Sequence, residues 1–359
     1  MMRMLSLVFA LLAVLPQTRA AERAAVPDIA YDADPNFLRL PADRYFGEAA
    51  GVAVNSKGHI FVFSRGNTTG PAFGAAASQL LEFDQNGTFV REIAKGLYAL
   101  AYAHSVRIDR QDNIWIVDKG SDQVVKLTPA GRVAMVFGRK KEASDEAVPW
   151  TKVTPPRPAI DGYFRQPTDV TWDTQGDIFI SDGYVNSRVA KYTKDGDWVK
   201  SWGQFGTKDG EFDTPHNIAA DARGNIYVAD RGNRRIQVFD PDGTFVRSMS
   251  VTSVPVPPDA KPAIGNPPAA EATGTQAPGA AWTLCITPGP NQILYMSDAF
   301  PGRIYKLSLD GKVLGMLGRS GKQPKQFGWI HAIACPTENE LYVAEILNWR
   351  VQKLTLRAR

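Results

Sequence analysis

An all-β fold, a six-bladed β-propeller, is what the sequence predicts, and three observations carry the expectation. One template recurs six times: KGHIFVFS, QDNIWIVD, QGDIFISD, RGNIYVAD, NQILYMSD and ENELYVAE each run from a turn into an aromatic-rich strand. Five of the six end on an acidic residue, with Ser64 in its place in the first. Asp-Gly and Asn-Gly steps between alternating apolar residues mark hairpins. Third strands then follow as QVVKL, RVAKY, RIQVF, RIYKL and RVQKL. Four short antiparallel strands per repeat, six repeats in one chain, is the pattern of a propeller.

The sixth unit stops after RVQKLTL, one strand short. Residues Asn36–Leu40 are expected to supply that strand and close the ring, which removes the exposed edges of an open array. Ahead of them, Arg3 precedes an apolar run from Leu5 to Leu15, and Thr18-Arg19-Ala20 ends in a small residue. The run is too short to span a bilayer and has the layout of a cleaved signal peptide. The expected organisation is therefore a signal peptide over 1–20, a linker over 21–35 and the propeller over 36–359. Export to a periplasm or beyond follows, with no stable membrane span after cleavage.

The 359 residues are 44% hydrophobic and 22% charged, the composition of a globular body. The formal charge of +4 falls to about +2 without Arg3 and Arg19, which gives no basis for nucleic-acid binding. Cys285 and Cys335 lie on first strands of consecutive repeats, and an oxidising compartment permits a bridge between them. Pairs at equal spacing, Asp230 with Arg235, Asp298 with Arg303 and Glu345 with Arg350, are expected to staple second strands to third strands. His59 is expected in a surface turn.

Only four histidines occur, and His104, His216 and His331 share one repeat position. Each stands ten residues before the residue that starts the second strand: Ile114, Ile226 and Leu341. By the same register Ala50, Thr168 and, after one inserted residue, Thr283 hold that position in the other blades. The innermost strands of a propeller line its channel, so histidines on blades two, four and six point at one axis a third of a turn apart. Three imidazoles with an open fourth position describe a catalytic zinc site, with small residues between them leaving room for a ligand. Residues just after the second strand share that face: Arg65, Lys119, Gly183-Tyr184, Arg231, Ala299 and Ile346. Arg65 and Arg231 can hold a carboxylate, and Tyr184 offers a phenol that acts as a base once its pKa is depressed. The longest connections, Gly138–Arg165, Val251–Ala281 and Asn67–Ser78, emerge over the same face.

The segment FDTPHNIAADARGNIYVADRGNRRIQVFD resembles an NHL repeat, and the pattern covers nearly all of 45–356. More closely, VAVNSKGHIFVFSRG, FRQPTDVTWDTQGDIFISDGYVNSR, FDTPHNIAADARGNIYVADRGNRRIQVF and FGWIHAIAC are similar to the peptidyl-α-hydroxyglycine α-amidating lyase family, a six-bladed NHL-type propeller with an axial zinc. The resemblance implies zinc on His104, His216 and His331, Tyr184 as base, and Arg65 and Arg231 as active-site arginines. It implies cleavage of a carbinolamide to an amide and glyoxylate, from a small-molecule or peptide substrate bearing a carboxylate, by a monomer. Ala332 stands where the family has an acidic residue of a structural calcium site, which puts calcium in doubt. A non-catalytic NHL propeller that binds a peptide, glycan or protein is the alternative. A propeller lactonase would use carboxylate and asparagine ligands that this channel lacks.

Overall fold

The computed structural model describes residues 26–66, 78–141, 157–269 and 271–357. Its strands form six four-stranded antiparallel sheets, and among the described residues there is no helix. Consecutive strands pair in order within each of the first five sheets. Blade one, for example, comprises Ala49–Val54, Ile60–Ser64, Gln79–Phe83 and Phe89–Ile93. The blades continue at Ala103–Gly138, Asp169–Trp202, Pro215–Met249 and Thr283–Leu317.

Burial grades outward across each blade. Second strands such as Ile60–Ser64, Ile114–Asp118 and Ile226–Asp230 are buried at every position because both faces of the sheet meet neighbouring blades. Outer strands such as Phe89–Ile93 and Phe245–Met249 alternate between covered and solvated residues. The inner hairpins turn on side-chain bonds. Asp109 Oδ1 accepts the amides of Gln111 and Asn113, and Asp221 Oδ1 accepts those of Arg223 and Asn225. His59 lies in the corresponding turn of blade one, partly buried, with Nδ1 2.8 Å from Glu82 Oε1.

Blade six is Ile330–Thr337, Glu340–Glu345 and Arg350–Leu356, completed by Tyr31–Asp34. The closing strand is therefore not Asn36–Leu40 but a segment five residues earlier, with Tyr31 opposite Leu356 and Asp34 opposite Lys353. Pro35 ends that strand, and the Asn36 amide folds back on Asp34 Oδ1. Leu38 then inserts into the core between blades one and six, and Arg39 donates to Gly87 O. The propeller consequently begins ahead of residue 36. Upstream, Met316 N donates to Pro27 O and Ile29 N to Met316 O, so the N-terminal segment also ties to blade five's outer strand. The segment expected to be a signal peptide, 1–20, lies outside the described residues.

Two of the three expected staples form as ion pairs, Asp230–Arg235 and Glu345–Arg350, each at 2.7 Å. At the third, Asp298 accepts the backbone amide of Arg303 while the guanidinium donates to Pro255 O. Of the long connections, 67–77 and 142–156 lie outside the described residues. The Pro/Ala-rich one is anchored: Arg234 donates to Ala272 O and Pro278 O, and Val251 and Val254 enter the core of blades four and five.

Cys285 and Cys335 form a disulfide between the inner strands of blades five and six, 50 residues apart in sequence. Closing a loop of that length restricts the unfolded chain by about 4 kcal/mol in the chain-entropy treatment. The Cys285→Ala/Cys335→Ala protein is expected to lose roughly 2–4 kcal/mol, read as a lower denaturant midpoint with a somewhat steeper slope, because the unfolded chain without the bridge is less compact.

Candidate metal centre and active site

The site begins with a backbone irregularity. In blades one, two, four and six the pairing of first and second strands slips by one residue at Ala50, His104, His216 and His331. A bulge re-aims one side chain out of the pleat, and here the residue re-aimed is each of the three histidines.

Each imidazole is then clamped by the next blade. His104 Nδ1 lies 2.6 Å from Thr168 O, His216 Nδ1 2.6 Å from Trp282 O, and His331 Nδ1 2.7 Å from Ala50 O. A carbonyl only accepts, so each Nδ1 carries the proton and each Nε2 keeps its lone pair. The three rings pack edge to face with centroids 4.6–4.9 Å apart, and their ligand atoms lie within 4.8 Å of one another. All three are buried. Burial, reinforced by nearby positive groups, holds each pKa well below 6.5, so the imidazoles are neutral at pH 7. His331 Nε2 has no hydrogen-bond partner among the described residues. A buried, unpartnered lone pair beside two others, each with its second nitrogen fixed by a carbonyl, fits a zinc donor set.

Trp282, not Thr283, holds the ring position in blade five. Its amide donates to Ser297 O as Thr168 N donates to Ser181 O, and its carbonyl receives His216. The extra residue in that blade hid the register. The ring position is therefore not small in blade five: the Trp282 indole stands 5.5 Å from the His216 ring.

Tyr184 OH lies 3.3 Å from His104 Nε2 and 3.2 Å from His216 Nε2. Its place follows from Gly183, where a Cβ would stand 1.8 Å from Pro215 O. Blade three cannot carry a side chain there, and the next residue enters the site instead. Burial would raise the phenol pKa, but Arg231, Lys119 and Arg65 together bring it below 10.0, Arg231 also by a hydrogen bond. Lys119 Nζ lies 3.6 Å over the Tyr184 ring, and burial lowers its own pKa. The Arg231 guanidinium lies over Trp282 at 4.6 Å and Tyr184 at 5.4 Å. Arg65 is more committed: Nη1 pairs with Glu48 at 2.6 Å, Nε donates to Ala103 O, and the head stacks on Tyr102 at 4.1 Å. Glu48 and Tyr102 were not legible as site residues: both lie two residues before the ring position of their blades, but the same position carries Gln166, Thr214 and Trp329 elsewhere, side chains with no shared chemistry to mark it.

Directly beneath, the residue after His104 begins a second ring. Ser105 Oγ and Arg107 Nε both donate to Asp169 Oδ1, and Arg107 Nη2 reaches Asp169 Oδ2 and Asn217 Oδ1. Asn217 Oδ1 also accepts Leu284 N. The network crosses blades two to five under the histidines. Its acid is neutralised by an internal guanidinium, and Ala332 contributes no oxygen donor from its side chain, so this level does not fit calcium.

In the comparisons, the NHL repeat family model matches residues 212–239. Peptidyl-glycine alpha-amidating monooxygenase of Mus musculus is 30% identical over 231 residues, 58% of this chain and 22% of its own length. Probable peptidyl-alpha-hydroxyglycine alpha-amidating lyase pgal-1 of Caenorhabditis elegans is 26% identical over 261 residues, 66% of this chain and 69% of its own. This chain is an NHL-repeat propeller that resembles the amidating lyases. The alignment spans only about a fifth of the monooxygenase relatives' length. NHL repeat-containing protein 3 of Homo sapiens is 29% identical over 227 residues, 60% of this chain and 58% of its own. Virginiamycin B lyase from Staphylococcus aureus superposes with a TM-score of 0.55 at 13% identity, covering 91% of this chain and all of that one, a likeness of fold.

Two outcomes follow from this geometry. Arg107→Met leaves Asp169, fully buried, without its countercharge and is expected to cost about 3–5 kcal/mol. In urea unfolding, adding Asp169→Asn should recover part of that loss; strict additivity would show that the two side chains are uncoupled. In metal-free protein the histidines also impose a pH dependence. Below pH 6.5 the unfolded imidazoles take up protons that the folded ones refuse, so stability falls with pH by up to about 1.4 kcal/mol per unit for each. Chelator-treated melts between pH 8 and 5 should show this slope, and it should flatten when all three histidines are replaced by asparagine.

Proposed function

We propose that the chain is an exported zinc-dependent lyase that cleaves the C–N bond of a peptidyl-α-hydroxyglycine-like carbinolamide to an amide and glyoxylate. The observation that carries this reading is the convergence of three histidine ligand atoms, two of them beside the hydroxyl of a phenol held beneath Arg231 and Lys119. Relatives named as amidating lyases supply the reaction class.

His104, His216 and His331 hold the zinc, which when bound supplies Lewis acidity that makes a substrate hydroxyl easier to deprotonate. Arg231 and the free donors of Arg65 hold the substrate carboxylate, with Lys119 adding positive charge. Tyr184, as phenolate, takes the hydroxyl proton. The electron pair of the O–H bond forms the aldehyde C=O as the C–N pair leaves with nitrogen, and Tyr184 returns the proton to that nitrogen. Atoms and charge balance with no further reactant. Wrapped by Arg231, Lys119 and Arg65, the phenol is poised nearer neutrality than a free tyrosine. The substrate is a small molecule or peptide end bearing a carboxylate, the protein acts as a monomer, and the compartment is the periplasm or outside the cell.

Metal analysis of purified protein should give close to one zinc per chain, lost on replacing His104, His216 and His331 together by alanine. Glyoxylate release from α-hydroxyhippurate should then be measurable, and Tyr184→Phe should lower kcat by roughly 10²–10⁴. A wild type without stoichiometric metal would point instead to a non-catalytic binding propeller.

A further inference from the structure

The register position that follows each second strand divides the site into unlike halves. It carries Arg65, Lys119 and Arg231 in blades one, two and four, and Gly183 with the adjoining Tyr184 in blade three. In blades five and six it carries Ala299 and Ile346, both buried. These two join Trp282 and Trp329 in a single apolar cluster with Leu347. The two indoles stand 5.4 Å apart, and Trp282 lies 5.5 Å from the His216 ring and 6.3 Å from the His331 ring. The indole N–H of Trp282 donates to Thr275 O, which fixes the ring's orientation; the side chain is buried, and the Arg231 guanidinium lies 4.6 Å over the ring. Trp329, two residues before His331, is only partly buried, and its backbone is held by the bond from Ile346 N to its carbonyl. The cationic half and the indole wall thus adjoin where Arg231 lies over Trp282, and Trp329 is the more exposed indole of the wall.

We propose that this wall is the acyl-side specificity subsite: it receives the group attached to the amide carbonyl and selects apolar, above all aromatic, acyl groups. The inference rests on the lyase reading for the identity of the substrate, but its physical content is separate. A ligand whose carboxylate is drawn to Arg231, Lys119 and Arg65 must direct its other end away from them. The apolar surface left for that end is Trp329, partly buried and backed by Trp282, whose own ring Arg231 covers. An apolar group there leaves water for an aromatic surface, while a small or charged group gains nothing or forfeits hydration.

The test compares two unreactive carboxylates, benzoylglycine and acetylglycine, titrated calorimetrically into the full-length zinc-supplemented protein. Benzoylglycine is expected to bind roughly tenfold tighter or more. Trp329→Ala should reduce that ratio to about twofold or less while leaving acetylglycine affinity nearly unchanged. Trp329→Leu, which keeps an apolar surface, should retain most of the preference, and a melting curve checks that each variant is folded. Equal affinities in the wild type, no measurable binding of either compound, or an undiminished ratio in folded Trp329→Ala would overturn the proposal. Glyoxylate release from α-hydroxyhippurate reads the other question. Discrimination without release overturns the lyase reading and leaves the wall standing; release without discrimination does the reverse.

Discussion

Everything at the centre of this propeller depends on one repeated hydrogen bond, from the Nδ1–H of a histidine on one blade to a backbone carbonyl on the next. The bond fixes three things together. It selects the tautomer, so that the lone pair sits on Nε2. It orients the ring, so that Nε2 faces the axis. And because the carbonyl belongs to the following blade, it links the placement of every imidazole to the closure of the ring. Loss of registry between blades one and six would move Ala50 O, and with it His331. The ties at that seam, the strand Tyr31–Asp34 and the Cys285–Cys335 bridge beside it, therefore bear on the metal centre as well as on the fold.

The architecture was readable because a propeller spells its blades out repeatedly, and the second strands are buried on both faces, which makes their apolar runs conspicuous. The histidine ring was readable for the same reason: one register, counted back from each second strand. Legibility failed where the register alone is blind. YDAD has no repeat partner and only half-buried alternation, so the closing strand was misplaced onto the more apolar Asn36–Leu40. In blade five an inserted residue shifted the count, and Thr283 was read where Trp282 stands. That error mattered, since it replaced a wall of the site with a small residue. Tyr184, by contrast, is legible as the neighbour of the register residue Gly183, and the structure supplies the reason it enters the site: Gly183 cannot bear a side chain.

The second ring shows how a buried charge is used to link blades. Asp169 is fully buried and receives Ser105, Arg107 and the amide of Ile218, so one carboxylate of blade three gathers donors from blades two and four. An isolated charge at that depth would be costly. The guanidinium makes it tolerable and spreads the bonding on to Asn217 and thence to Leu284. Residues of this network immediately follow His104, Thr168 and His216, so it stiffens the backbone that presents two imidazoles and one of their carbonyl clamps. Where the sixth blade offers Ala332, the network has no member to recruit, and Arg107 provides internally the positive charge that an ion would bring.

The upper rim inverts that logic. There Arg231 is buried and Lys119 partly buried beside neutral imidazoles, and they lie against the π faces of Tyr184 and Trp282, with the phenol oxygen close to Arg231. Arg231 Nε lacks an acceptor among the described residues; Arg65 pairs with Glu48, and Asp213 attracts Arg231. A dication bound by the histidines would add to this positive excess. Gathering like charges with few anions is unfavourable unless a ligand completes the set, which fits the carboxylate-bearing ligand proposed above. The same excess lowers the pKa of the Tyr184 phenol against the effect of its burial, which is what the proposed base requires. A phenolate and a bound carboxylate would each relieve the electrostatic cost of the site, and on the proposed reading binding the second beside the first would bring substrate and base together.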